Sequence, residues 1–204
     1  MQYANINRGN RFTNLVSFSS KARGLANHVE KLSPGHPNAK LNYKNGDVTT
    51  TLINCANGET VLLSHDVHLP RPYSLGFRVQ GTNGLWMDVN KSIHIEGKSK
   101  AHAWEPAEEW LKKYDHPVWK KYESEAVGAG HGGMDWFVFN AFVMSVKLKR
   151  QTPIDVYDSV TMSVITPLST KSLKEGNKSQ EIPDFTRGKW STRKNAFALD
   201  DSGF

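Results

Sequence analysis

Cysteine is nearly absent from this chain. Cys55 is the single one among 204 residues, so no internal disulfide can form and no cluster of thiolates can hold zinc. A lone thiol is in keeping with a reducing compartment without requiring one, so localisation stays open. Long apolar runs are missing too: none approaches the roughly 20 residues that span a bilayer. The opening Met1-Gln-Tyr-Ala-Asn-Ile-Asn-Arg-Gly9 lacks the apolar centre of a signal peptide. No signal, no transmembrane segment and no membrane partner are therefore expected. Internal repeats and low-complexity tracts are absent, as is the Gly-x-Ser-x-Gly elbow of a serine hydrolase.

Charge of one sign is not concentrated anywhere, despite a net charge of +6 from 26 basic and 20 acidic residues. Many Lys and Arg sit three or four positions from an acid, as in Glu108-Glu109-x-x-Lys112-Lys113, which is the dress of a solvated helix. The densest basic stretches, Lys147-Leu-Lys-Arg150 and Lys189 to Lys194, carry no recognisable nucleic-acid module. Nucleic acid is not expected as a partner.

What the chain does have is aromatic bulk: six Trp, nine Phe and six Tyr, within an apolar share of 38%. That is enough for one sizeable core, so residues 1–204 are expected to form a single domain, with 176–204 as an irregular docking tail.

The first half reads as strands. Arg11 to Ser20 is rich in β-formers, a short helix over roughly Ala22 to Lys31 follows, and Ser33-Pro-Gly-His-Pro37 stops it. Asp47 to Asn54 and Glu59 to His65 flank Ala56-Asn57-Gly58, a strong hairpin signal. A second hairpin is expected from Leu75 to Gln80 and Leu85 to Val89 around Gly81-Thr-Asn-Gly84, with Ser92 to Glu96 as one more strand. That predicts an antiparallel sheet of at least six strands. The second half reads as helices: Ala107 to Tyr114 behind Pro106, Val118 to Val127, Gly132 to Lys147, and about Ile154 to Leu168. The third is apolar nearly all round and predicts a buried helix. The fold class is α+β, a large open, mostly antiparallel sheet with helices packed on one face.

Gly128, Gly130 and Gly133 match the G-x-G-x-x-G spacing of a dinucleotide-binding turn. The match is out of context. Such a turn needs a buried strand before it and a helix after it, whereas Pro117 to Val127 is charged and helical. His65 and His68 flank Asp66, but on a strand residues 65 and 68 face opposite ways, so no zinc site is expected.

Several collinear segments together resemble the C-terminal domain of Gfo/Idh/MocA-type proteins, and more narrowly the NAD-dependent α-N-acetylgalactosaminidases of glycoside hydrolase family 109. They are Asn5-Ile-Asn-Arg-Gly-Asn-Arg-Phe12, Ser17-Phe-Ser-Ser20, His65-Asp66, Pro70-Arg-Pro-Tyr-Ser74, His116-Pro-Val-Trp119, His131-Gly-Gly-Met-Asp135, Asp155-Val-Tyr-Asp158 and Ile182-Pro-Asp-Phe-Thr-Arg-Gly188. They cover nearly the whole chain. Full-length members carry an N-terminal Rossmann domain and a Tyr-x-x-His motif, neither of which is in this sequence. The chain is therefore expected to lack the cofactor site and the catalytic residues. It reads as a piece of a longer protein, a natural remnant or a separate subunit.

The resemblance implies hydrolysis through a redox cycle on tightly held NAD, with the difficult chemistry carried by the cofactor. For this chain it implies a substrate-recognition and oligomerisation role with no cofactor bound and no activity alone. The alternatives are the C-terminal domain of a sugar oxidoreductase, or a non-catalytic carbohydrate-binding or scaffold protein. Expected partners are a carbohydrate resembling N-acetylgalactosamine, a second copy of the chain through the sheet face, and a separate or missing Rossmann domain.

Three residues are candidates for substrate binding. Tyr73 matches a tyrosine lining the family's sugar site; a phenol offers a stacking face and one hydroxyl. Arg71 can fork onto polar groups of a sugar. His131 stands before two glycines at a helix start, where a ligand can approach free backbone N–H groups. Asp135 is read as a first-turn acid that stabilises the helix. No residue of this chain is expected to be catalytic, cofactor-binding or metal-binding.

Overall fold

The computed structural model describes residues 1–66 and 68–195. In chain order its elements are β1 (Phe12–Ser19), α1 (Gly24–Leu32), β2 (Val48–Cys55), β3 (Thr60–Asp66), β4 (Arg78–Gly81), β5 (Gly84–Met87), β6 (Ser92–Ile95) and β7 (Glu105–Pro106). There follow α2 (Glu108–Tyr114), α3 (Pro117–Ala126), α4 (Met134–Lys147), α5 (Val156–Ser163), α6 (Ile165–Lys174) and β8 (Gln180–Glu181). The class is α+β and every strand pair is antiparallel. The strands are shared between two four-stranded sheets rather than gathered in one. Two compact units result: among the described residues, the first takes 1–66, 68–70 and 151–195, and the second takes 71–150.

In the first unit the sheet order is β3-β2-β1-β8. The Asn57-Gly58 hairpin forms as its residues require, with the Gly58 N–H on the Cys55 carbonyl and the Cys55 N–H on that of Glu59. Two-residue alternation then sends Leu15 and Ser17 of β1 and Thr51, Ile53 and Cys55 of β2 to one face, where all are buried. α6 covers this face, joined by Ser17 and Ser169 hydroxyls at 2.8 Å and by the Ser17 N–H donating to Ser172 Oγ at 3.1 Å. Small residues on both sides let helix and sheet approach closely. Ile6, Phe12, Leu15, Ile53, Cys55, Ile165 and Ile182 form the core, and each large side chain fully buried there contributes about 1.5–3 kcal/mol.

The expected helix over Ile154–Leu168 is two helices that meet at Val164. Pro167 explains the break, since it has no N–H to donate to the carbonyl of Ser163 one turn back. α5 begins with a capping box: Asp155 accepts from the N–H groups of Tyr157 and Asp158, and Asp158 accepts from that of Asp155. Residues 180–190 are tied down rather than loose. β8 pairs with β1, Ile182 is buried, and the Trp190 carbonyl accepts from Gly9 N–H. Asp184 fixes the last turn by accepting from the Thr186 hydroxyl and from the N–H groups of Thr186 and Gly188. Residues 196–204 of the expected tail lie outside the described residues.

In the second unit, residues 71–77 have no regular structure and lead into the meander β4-β5-β6-β7. Residues 82–83 make the tight turn between β4 and β5. α3 and α4 pack through aromatic rings: Trp119 on Phe137 with centroids 4.8 Å apart, and Tyr122 against Trp136 at 5.5 Å. The expectation of an all-round buried α4 does not hold. Val138, Phe139, Phe142 and Val146 are exposed by more than half. A helix apolar on every side needs neighbours on every side, and here the rings of α3 account for one.

Candidate functional site

Arg71 and Tyr73 stand in the loop between Pro70 and β4. The Arg71 guanidinium donates from Nη1 to the carbonyls of Pro72 at 3.3 Å and Ser74 at 3.0 Å, so it braces the loop that carries Tyr73. Pro70 and Pro72 restrict the same stretch by fixing their own φ angles. Tyr73 emerges with 90% of its surface exposed. A stiff loop that holds an aromatic ring out of the protein is an arrangement for contact with something else.

His131 lies in the 3-10 turn that opens α4 and has a positive φ of 54°. Its Nδ1 is 2.9 Å from Asp135 Oδ1 and 3.0 Å from Oδ2. A carboxylate accepts, so Nδ1 carries a proton and donates, and Nε2 is left to meet a ligand. Asp135 thus does more than stabilise the first turn of α4: it sets the tautomer and orientation of His131. The pair is exposed, with side chains at 74% and 57%.

The glycines have specific duties in this turn. A Cβ on Gly130 would fall 2.3 Å from Asp135 Oδ2, so Gly130 makes room for the carboxylate. Gly133 has φ +98° and lies where a Cβ would be 3.1 Å from that of Ala126 on α3. The Gly133 N–H donates to the carbonyls of Ala129 and Gly130, and the Asp135 N–H to that of Gly130. These two amides are occupied, and the imidazole is the side-chain group that the turn offers a ligand. The same geometry does not fit NAD. A helix, α3, enters the turn where a buried strand is required, and a pyrophosphate would compete for amides already bonded.

Tyr73, Arg71 and His131 thus all belong to the second unit, two in one loop and one at the start of α4. His65 lies exposed on β3 and His68 beyond its end. No group of three His, Cys, Asp or Glu among the described residues is placed to hold a metal ion.

Sequence reasoning passed over a different cluster. Asn7 and Arg8 meet Asp158 through the Arg8 fork at 2.8 and 2.7 Å and Asn7 Nδ2 at 3.2 Å, all in the buried heart of the first unit. Arg193 pairs with Asp155 and lies over the Tyr157 ring, 4.9 Å from its centroid. Burial works to raise the Asp158 carboxyl. The hydrogen bonds from Arg8, Asn7 and the Asp155 N–H, with the Arg8 charge, outweigh it and hold the group below its ordinary 3.8. The residues that carry this cluster, Asn5 to Phe12 and Asp155 to Asp158, were legible as segments; their pairing across about 150 positions was not.

Comparison with known proteins gives the family. Residues 1–192 match the model of the glycosyl hydrolase 109 C-terminal domain. A glycosyl hydrolase family 109 protein from Stenotrophomonas maltophilia (strain K279a) is 56% identical over 200 residues, covering 97% of this chain and 44% of the relative. An alpha-N-acetylgalactosaminidase from Tannerella forsythia is 49% identical over 196 residues, 96% of this chain and 42% of the relative. The chain spans less than half the length of the curated relatives it matches. Its fold is shared with an oxidoreductase domain protein from Kribbella flavida, at a TM-score of 0.52 and 12% identity over 86% of this chain and 47% of that one. The match over residues 1–192 and the identity to these relatives agree: the chain belongs to the glycosyl hydrolase 109 C-terminal domain family.

Proposed function

We propose that this chain is the substrate-recognition and oligomerisation part of a glycosidase that releases α-linked N-acetylgalactosamine, with Tyr73, Arg71 and His131 contributing to the sugar site. NAD and the groups that do chemistry belong to a Rossmann portion outside this sequence, and the chain alone is inactive. The observation that carries the reading is the Tyr73 ring, held 90% exposed on a loop stiffened by Arg71 and two prolines. Its family membership, and a relative that is an alpha-N-acetylgalactosaminidase, support the choice of sugar. One fold hosts many reactions, so the sugar is the part that experiment must test.

The test joins this chain to the cofactor-bearing half of a family 109 relative and follows cleavage of a chromogenic α-N-acetylgalactosaminide. Tyr73→Phe is expected to lose the hydroxyl's share, about 0.5–1.5 kcal/mol of binding. Tyr73→Ala is expected to lose the stacking face as well and to weaken binding further. Unchanged kinetics in Tyr73→Ala with the fold intact would remove Tyr73 from the sugar site.

The oligomerisation role rests on the face of the first unit's sheet opposite α6. Residues that pair across antiparallel strands share a face, so Val16, Leu52 and Leu62 form a row, with Phe18 in the next rank. Phe18, Leu52 and Leu62 are 59%, 42% and 68% exposed. A flat apolar row on a sheet suits a self-complementary contact with a second copy of the chain.

A further inference from the structure

The second unit carries a cavity of about 480 Å³ at the end of its sheet, apart from the loop of Tyr73 and the turn of His131 in sequence. This volume is within the range of about 300–1,000 Å³ usual for small-molecule sites. Gln80, Leu85 and His94 are register partners on adjacent strands and therefore share one face, while Glu96, His102 and Trp104 close the rim. Gly84 permits the close approach that shapes the floor, since a Cβ there would stand 2.6 Å from the His94 carbonyl oxygen.

The chemistry of the lining is selective. His94 Nδ1 is 2.9 Å from the Ala103 carbonyl oxygen, so that nitrogen donates and Nε2 is left to meet a ligand. Gln80 adds donors and an acceptor, and Glu96 adds two carboxylate acceptors. Among the described residues the side chains of Gln80, Glu96 and His102 have no hydrogen-bond or ion-pair partner, and the half-exposed Trp104 ring stacks on no other ring. An anionic ligand such as a phosphate would meet the Glu96 charge. A fully apolar ligand would strand the imidazoles, the amide and the carboxylate without partners. His94, Glu96 and His102 are of metal-ligating kind, but no group of three such side chains among the described residues is placed to hold an ion. A neutral, many-hydroxyl ring with an apolar CH face satisfies both the acceptors and the indole.

We propose that this cavity is a carbohydrate-binding subsite, with Trp104 as the stacking platform and Gln80, His94 and Glu96 as hydroxyl partners. It goes beyond the sugar site assigned to Tyr73 and does not depend on it. It gives the domain a second hold on a glycan, which raises the local concentration of the chain to be cleaved.

The test uses the whole 204-residue chain, with N-acetylgalactosamine, galactose and lactose as probes and the indole N–H resonances of its tryptophans as the readout. The Trp104 resonance is assigned through its loss in Trp104→Phe. We expect saturable shifts of that resonance with Kd in the millimolar range for at least one probe. Trp104→Ala should weaken binding of that probe about tenfold or more, Trp104→Phe less because a ring remains, and Glu96→Gln several-fold. Dispersed backbone spectra of the variants certify the fold. A Trp104 resonance that stays still with every probe would overturn the proposal, as would Trp104→Ala binding as well as wild type. Shifts that arise only at other tryptophans point to binding elsewhere and overturn it too, while leaving the Tyr73 assignment intact.

Discussion

Arg8 and Asp158 show how much one side chain can carry. Both are nearly buried, at 8% and 5% exposure, and the fork between them is the tightest link from the chain's first residues to α5. Arg8→Ala leaves the Asp158 charge in the interior with only Asn7 and backbone for company. That is expected to cost about 3–5 kcal/mol, the usual penalty for breaking a buried pair, and a urea titration of both proteins measures it. The same contacts set an acid limit. Asp158 and Asp184 both have carboxyls held below 3.8, in each case because hydrogen bonds to the charged form overcome burial. A depressed folded-state value means that the stabilisation is complete above the unfolded value and is lost as pH falls through the folded one. Thermal midpoints should therefore be level from neutral down to about pH 4 and decline below it. In Arg8→Ala the Asp158 share of that decline should be missing.

Among the elements, the turn into α4 is the most constrained. Gly133 combines φ +98° with a Cβ direction blocked by Ala126, so Gly133→Ala must strain the backbone and push α3 away together. A loss of about 1–3 kcal/mol is expected from the backbone alone, read as a lowered melting temperature of the chain. The hairpins and helices were largely legible in the sequence because their signals are local: Asn57-Gly58, Gly81 to Gly84 and the proline before α2. What escaped is what depends on distance in the chain. β7 and β8 are two residues each and exist only because β6 and β1 offer them an edge. Pro167 split a helix whose apolar pattern runs on through the break. The apolar periodicity of α4 predicted burial, but periodicity cannot say whether a chain supplies the partners. The candidate site was legible as Tyr73, Arg71 and His131 through family resemblance. The brace from Arg71 to its own loop and the His131–Asp135 pair were not, since both are matters of side-chain direction.

For the molecule as a whole, the exposed row of Leu52, Leu62 and Phe18 makes self-association the expected state, and light scattering at micromolar concentration is its measure. Leu62→Glu, placed at the edge-strand end of the row and away from α6, should shift the mass to that of one chain without unfolding it. A wild-type mass of a single chain would refute the sheet-face contact. The division into units also carries a consequence for how the protein is made. β1 leaves the ribosome long before its partners: β8, which closes one of its edges, and α6, which covers its face, lie more than 140 residues further along the chain. At a synthesis rate of about 5–20 residues per second, that interval lasts many seconds. Throughout it the nascent chain presents an open strand edge and an uncovered apolar face, the kind of surface that invites wrong pairings. The entire second unit is produced within that interval, so a cell expressing this protein must shelter an unfinished sheet while it waits for its lid.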